Sequence, residues 1–228
     1  MERKWPEMKT PKEWEKKDIY KPVFLNRYGY YELRKQNTPE ERGKNFEKNY
    51  FQNYAGQTYA KQYPENELAF IKNKIEEREL VIRENLEKTG KNLEEGYSLL
   101  DIGCGEGFLL KHFHDRGVKV KGIDFGVYAL EHFHPELLSC FEQGDMEKLL
   151  ARGEYYDVVN ADRGLDMVPD AGRGVERMKE VMAEHSILVI KVANNYSNIQ
   201  RMLLADGEMK EEYWLDDPDH TGYFNREG

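Results

Sequence analysis

The stretch Leu99-Leu100-Asp101-Ile102-Gly103-Cys104-Gly105-Glu106-Gly107-Phe108-Leu109-Leu110 constrains the fold more than any other part of the chain. A short apolar run feeds three alternating glycines and then a second apolar run, which reads as a buried strand, a tight turn and a helix. Glycines are required where the backbone takes positive φ or must come close to a ligand. The helix N-terminus beyond the turn favours an anionic group. From residue 97 onward the same texture repeats. Strands are predicted over Ser98–Ile102, Val118–Ile123, Leu138–Gln143, Asp157–Ala161 and Ile187–Val192. Helices are predicted over Phe108–Asp115, Val127–His134, Met146–Arg152 and Gly174–Ala183. Strands separated by helices mean βαβ units, hence an α/β fold whose parallel sheet carries helices on both faces.

Upstream, Leu68, Ile71, Ile75, Ile82 and Leu86 recur at helical steps, and Gly90 closes a helix over 65–88. Thr38 as N-cap, Pro39 at the first helical position and Glu41 at N3 start another, over 39–54. The first 35 residues have no apolar period. We therefore divide the chain into an aromatic-rich extension or lid, 1–64, and a ligand-binding domain, 65–228. With 228 residues the chain is long enough to bury a core without disulfide staples, and its two cysteines make no disulfide framework. No run approaches the ~20 apolar residues of a membrane span. No signal sequence precedes the first helix, so the cytoplasm is the expected compartment. A net charge of −9 disfavours phosphate polymers, so nucleic acid is a poor candidate partner.

The turn itself discriminates between ligands. A dinucleotide turn wants Gly-x-Gly-x-x-Gly, whereas here the glycines are 103, 105 and 107, and residue 108 is Phe. Asp101 and Glu106 add negative charge where a pyrophosphate would sit. A ligand with an ammonium group suits that charge, which leans toward an amino-acid-bearing nucleoside and away from NAD. Asp124, about 20 residues past the turn at the end of the second strand, stands where a ribose-binding acid belongs. Asp101, Asp124, Asp145 and Asp162 all fall at or just beyond strand ends, where ligands of such sheets bind.

Asp101-Ile-Gly103-Cys104-Gly105-Glu-Gly107 resembles the first motif of the class I S-adenosylmethionine-dependent methyltransferases. Later segments match in order: Val120-Lys-Gly-Ile-Asp124-Phe125, Gly144-Asp145-Met146, Tyr155-Tyr-Asp157-Val-Val-Asn160-Ala-Asp162, Leu165-Asp166-Met167-Val-Pro-Asp170 and Asp217-Pro-Asp-His220-Thr-Gly-Tyr-Phe224. The resemblance covers residues 97–228. It implies a Rossmann-like class I fold with S-adenosyl-L-methionine as cofactor and S-adenosyl-L-homocysteine as product. It implies that Asp124 accepts from the ribose hydroxyls, that Asp145 takes the adenine amino group, and that Met146 lies along the ring. Phe125 and Asn160 complete the cofactor set, together with Asp101, Gly103, Cys104, Gly105 and Gly107. Tyr59 and Tyr63, just before the long helix, are placed as such a family's N-terminal aromatics are, over the cofactor.

Two departures matter. Some family members hold a divalent metal through Glu-x-x-Glu-His after the fourth strand. Arg163, Asp166 and Met167 stand there instead, so no metal is expected. The family's closing helix and antiparallel hairpin would begin where this chain reaches Gly228, so the hairpin is expected to be truncated. The fifth strand is then an open edge, unless another chain, such as a second copy in a homodimer, or the N-terminal extension covers it.

The remaining candidates are weighed against plain readings. His112 with His114, and His132 with His134, are two residues apart, share no helix face and are expected on exposed helix surface. His185 is expected to be exposed. Cys104 is a small turn residue before it is a nucleophile, and Cys140 a small core residue. A methyl transfer to oxygen needs alignment and a base for the acceptor's proton. His220 and Asp162 are the candidate bases, His220 preferred because its unperturbed pKa lies near neutrality. Arg163 is the candidate contact for an anionic substrate group. The expected activity is O-methylation of a small molecule, sugar or nucleotide-linked metabolite, in a surface-polysaccharide or natural-product setting. N- or C-methylation, a non-catalytic methyltransferase-like binding or regulatory domain, a dinucleotide oxidoreductase and RNA methylation are the alternatives.

Overall fold

The alternation of apolar runs and helices downstream of residue 97 folds as a parallel sheet. The computed structural model describes residues 23–36, 38–48, 51–52, 62–145, 149–210, 215 and 220–226. The leader aromatics before residue 23, Tyr59 and Met146 lie outside them. Along the chain run β1 (Val23–Leu25), β2 (Tyr31–Leu33), α1 (Pro39–Lys48), α2 (Glu65–Lys88), β3 (Ser98–Ile102), α3 (Phe108–His114), β4 (Lys119–Asp124) and α4 (Tyr128–Phe133). Then follow β5 (Phe141–Gln143), β6 (Tyr156–Asp162), α5 (Ala171–Lys179), β7 (Met182–Lys191), α6 (Asn198–Ala205) and β8 (Gly222–Tyr223). The chain divides into two compact units: Met1–Gln36 with Leu165–Gly172 and Val192–Gly228, and Asn37–Gly164 with Arg173–Lys191. No described helix is long and apolar enough to cross a membrane.

The larger unit carries the sheet β5-β4-β3-β6-β7, every neighbouring pair parallel. Its central strands read as nearly unbroken apolar runs because both faces are covered. Leu99 and Val158 pack with Phe113, Leu110, Leu130, Ile82 and Leu86 in one cluster. Leu100 and Val159, the next residue in each strand, point to the opposite face and are equally buried. At the starting ends of the strands a polar knot fixes the register of β3 against β6. Asp157 accepts from the Ser98 N–H and hydroxyl at 2.8 and 2.9 Å and pairs with Lys91 at 2.5 Å.

Several expectations hold in detail. The box at the start of α1 closes as anticipated: Glu41 N–H donates to Thr38 Oγ1 at 3.2 Å, and Thr38 N–H donates to the Glu41 carboxylate at 2.8 Å. Helix α2 has the expected bounds. His185 is exposed.

Other expectations are corrected. Leu68, assigned to the buried stripe of α2, is exposed; the inward stripe runs from Ile75, partly buried against the core, to the fully buried Ile82 and Leu86. The helix expected over Gly174–Ala183 lies at Ala171–Lys179, and β7 begins at Met182. A register shift between Tyr156 and Val158 and a left-handed His185, φ 58°, let the polar Glu184-His185 stretch stay in the strand. Leu138–Cys140 belongs to a 3-10 turn, Pro135–Cys140, begun by proline at its first position, which leaves only Phe141–Gln143 as strand. Helix α1 ends at Lys48. His112 is not on open surface: its Nε2 lies 2.7 Å from Glu79, with the side chain buried between α2 and α3. His134 is half-buried, its Nδ1 2.7 Å from the Glu106 carbonyl oxygen.

The smaller unit holds an antiparallel sheet, β1-β2-β8, that sequence periodicity missed. Asn26 makes the hairpin turn: its side-chain oxygen accepts from the Tyr28 and Tyr30 amides at 3.0 and 3.3 Å, and Gly29 follows at φ 92°. β8 joins with Tyr31 opposite Tyr223. Tyr223, Val23, Tyr31 and Tyr196 form its core.

Candidate functional site

The glycine turn leaves the end of β3 and is seated on the end of β4. The amides of Gly103 and Cys104 both donate to the Ile123 carbonyl, at 2.8 and 3.2 Å, and the Gly107 amide donates back to Cys104 at 2.9 Å. Gly103, Gly105 and Gly107 take φ of 73°, 50° and 80°, a region costly for any other residue. Nothing lies within 4 Å of a side chain built on Gly103, so that stretch of backbone is open to close approach. Gly107 is the last residue before α3.

Asp124, at the end of β4, ties this turn to the next one. One carboxylate oxygen accepts from the Gly105 amide at 3.0 Å and the other from the Gly126 amide at 3.1 Å. Its backbone carbonyl accepts from Gly144, which sets exposed Asp145 at the adjoining strand end. Asp101, the last buried side chain of β3, accepts from the Asn160 amide nitrogen at 2.6 Å. The Asn160 side-chain oxygen is buried, with no hydrogen-bond partner among the described residues. Asp101, Gly103, Gly105, Asp124 and Asn160 therefore converge at the finishing ends of β3, β4 and β6.

The electrostatics of this end have one dominant cause. Burial pushes Asp101 up to about 7, against the opposing hydrogen bond from Asn160 and the charge of Arg78. Burial also raises Asp124, opposed by the Gly126 and Gly105 amides, and Glu106, opposed by the Tyr63 hydroxyl. Cys104 is raised well above the usual thiol range, by burial first and then by Asp124 and Asp101, so it is a neutral turn residue. Acids that burial holds back from ionising fit a ligand that brings positive charge and hydroxyl donors. The orphaned Asn160 oxygen and the open backbone at Gly103 suit the same ligand.

Aromatic side chains border the turn. The Tyr63 hydroxyl donates to Glu106, and its ring packs on Phe108 and Phe133. Phe46 of α1 stacks on Phe125 with centroids 5.9 Å apart. A side chain on Gly105 would meet the Phe51 ring at 3.0 Å. Phe46 and Phe51 were absent from the sequence candidates, because an aromatic-rich stretch without a period does not say which ring turns inward.

Asp162 does not stand open. Arg78 of α2 pairs with it at 2.6 Å and Lys191 at 3.1 Å. Arg78 was also missed, although it sits one helical turn before Ile82 on the inward stripe of α2. Arg163 is exposed, with a left-handed backbone at φ 55° fixed by its amide donating to the Lys191 carbonyl at 2.8 Å. His220 belongs to the smaller unit, where its Nε2 is 3.4 Å from the buried carboxylate of Asp166.

A family model described as a methyltransferase domain matches residues 75–227. Curated relatives include ubiquinone biosynthesis O-methyltransferases from Glaesserella parasuis, 27% identical over 50% of this chain and 52% of that protein, and from Nitrosomonas europaea, 37% identical over 32% and 34%. The chain thus spans about half or less of the length of the relatives it matches. Among solved structures it is similar to a SAM-dependent methyltransferase from Archaeoglobus fulgidus, with 21% identity, 66% of this chain and 64% of that one covered, and a TM-score of 0.46.

Proposed function

Because the chain belongs to the methyltransferase domain family, we propose that it moves a methyl group from S-adenosylmethionine to a hydroxyl oxygen of a small molecule, a sugar or a nucleotide-linked metabolite. The observation that carries this reading is the joint made by Asp124, whose carboxylate holds Gly105 and Gly126 at once. A carboxylate has about four lone-pair sites, so two remain for the hydroxyls of a ribose. The name of these relatives, O-methyltransferase, supports oxygen as the acceptor atom.

S-adenosylmethionine, when bound, supplies an electrophilic methyl on a cationic sulfur. Every other part of the work falls to this chain. The open backbone at Gly103 and the turn through Cys104, Gly105 and Gly107 receive the amino-acid end. Asp101 answers its ammonium, and Asp124 the ribose. Asn160, bonded to Asp101, lies with it at the amino-acid end; Phe125 and Asp145 border the base, and Tyr63 covers the pocket. The acceptor's hydroxyl loses its proton to His220. Asp162 is second choice for that role, since Arg78 and Lys191 already occupy its carboxylate. Arg163 takes an anionic group of the acceptor.

Calorimetric titration tests the donor first. Micromolar binding of S-adenosylmethionine and S-adenosylhomocysteine, with none of NAD, is expected. A folded chain that binds neither adenosyl compound would move the non-catalytic reading to first place. With an acceptor in hand, His220→Ala is expected to lower kcat about 100-fold, the low end of general-base effects. An unchanged kcat removes His220 from the chemistry.

A further inference from the structure

We propose that the pocket over the β1–β2 hairpin binds a single sugar ring, with the Glu32 carboxylate receiving its hydroxyls and the Phe24 ring lining its carbon face. The site lies wholly in the smaller unit. Its test needs neither S-adenosylmethionine nor a methyl acceptor, so its outcome is separate from that of the methyl-transfer reading.

The hairpin has two faces. Phe24 stands opposite Glu32 across the strands, between the Val23–Leu33 and Leu25–Tyr31 pairs. Side chains alternate along a strand, so Val23 and Tyr31 enter the core with Tyr223 while Phe24 and Glu32 turn to the other side. There a cavity of about 330 Å³ opens, with Phe24, Asn26, Arg27, Tyr28, Glu32 and Asp170 among its walls. That is the small end of ligand pockets, about 300–1,000 Å³, with room for one ring rather than a nucleotide.

The polar groups are set before a ligand arrives. Glu32 Oε1 accepts from the Tyr30 hydroxyl at 2.6 Å and from the Asn26 amide nitrogen at 3.0 Å. Its second oxygen, Oε2, accepts no hydrogen bond and joins no ion pair among the described residues. Asn26 also closes the turn through the Tyr28 and Tyr30 amides, so the turn itself aims the carboxylate. Gly172 lets the Tyr28 ring seat, since a side chain there would strike it. Arg27 lies over that ring at 4.6 Å, donates to its hydroxyl at 2.5 Å and comes within 3.9 Å of Asp170. Asp170 keeps a left-handed backbone at φ 51°, a conformation that residues with side chains hold mostly at turns and ligand sites.

This mixture selects the ligand. A phosphate or carboxylate would face two carboxylates, Glu32 and Asp170, against one guanidinium already engaged with Tyr28 and Asp170. A purely apolar ligand would cover Glu32 Oε2 without replacing its water, which is costly. A sugar ring brings hydroxyl donors to that oxygen, which has room for about two. It also brings a carbon face to Phe24, as fits a pocket of apolar walls with a few placed polar groups.

The test is a titration of the full, isotope-labelled chain with methyl glucoside, methyl galactoside and methyl mannoside, followed by its amide NMR signals. At least one glycoside is expected to shift the signals of residues 24–32 with millimolar affinity. Inorganic phosphate and butylammonium, the anionic and cationic probes, are expected to leave them in place. Glu32→Gln keeps Oε1 for Tyr30 and Asn26 but turns the open oxygen into an amide donor. It is expected to weaken the glycoside about tenfold or more, the loss of one hydrogen bond to a charged group. No shift with any of the three glycosides, a stronger response to phosphate or butylammonium, or equal affinity in Glu32→Gln overturns the proposal. If that variant does not fold, Phe24→Leu takes its place, since it leaves the Glu32 hydrogen bonds alone, and equal affinity there overturns the proposal as well.

Discussion

Asp101→Asn is expected to remove a pH dependence from the folding stability of this chain. Burial raises the Asp101 carboxyl to about 7, from an ordinary value near 4. Below about pH 4 folded and unfolded chains both carry this proton. As the pH rises toward 7 the unfolded chain releases it while the folded chain retains it, so stability falls across that window and stays low above it. A rise of roughly three pKa units corresponds to about 4 kcal/mol, as an order of magnitude. The substituted amide keeps an oxygen for the Asn160 donor but has nothing to ionise. Wild type and variant should therefore match near pH 4, and the variant should be the more stable at pH 8 in chemical denaturation. Parallel stability profiles from pH 4 to 8 would refute the assignment. The same proton bears on binding. A cationic ligand beside Asp101 displaces it, so affinity for S-adenosylmethionine should climb by up to about tenfold per pH unit below 7 and then level off.

The second large effect is steric. Gly107→Ala should destabilise the chain by about 4 kcal/mol. A residue with a side chain pays about 1–2 kcal/mol for the left-handed backbone, and Gly107 sits at φ 80°. The added carbon would also come within 2.3 Å of Leu130 Cδ1, in a side chain with no exposure and no room to retreat. Overpacking of that kind costs about 1–3 kcal/mol. Gly117→Ala supplies the control: φ is 79°, but nothing lies within 4 Å. It should lose only the backbone part, and equal losses in the two variants would show that Leu130 yields freely.

Legibility of this chain in its sequence followed the reach of each interaction. The glycine turn, the strands around it and the box at Thr38 and Glu41 are local patterns, and the structure repeats them to within a few residues. Asp101, Asp124 and Asn160 were readable because a parallel sheet delivers every finishing strand end to one edge. What escaped depends on distant pairs. The β1–β2 hairpin is stabilised by Tyr223, almost two hundred residues downstream, although Asn26 through Gly29 between apolar runs was a usable turn signal. The burial of His112 depends on Glu79 from another helix. Arg78 meeting Asp162, and Asp166 meeting His220, are couplings that no periodicity contains. The start of β7 was misread because a bulge excuses Glu184 and His185 from the alternation that a sequence pattern assumes.

The Asp124 joint has a mechanical consequence. One side chain grips the loop after β3 through Gly105 and the loop after β4 through Gly126, so the two loops are tied to one another at a set spacing. A ligand that spans them finds its receptors at a fixed spacing and need not freeze two independent segments on arrival. That saving of ordering entropy would go to a molecule carrying both an amino-acid end and a ribose. Fragments bearing only one of the two ends forfeit it.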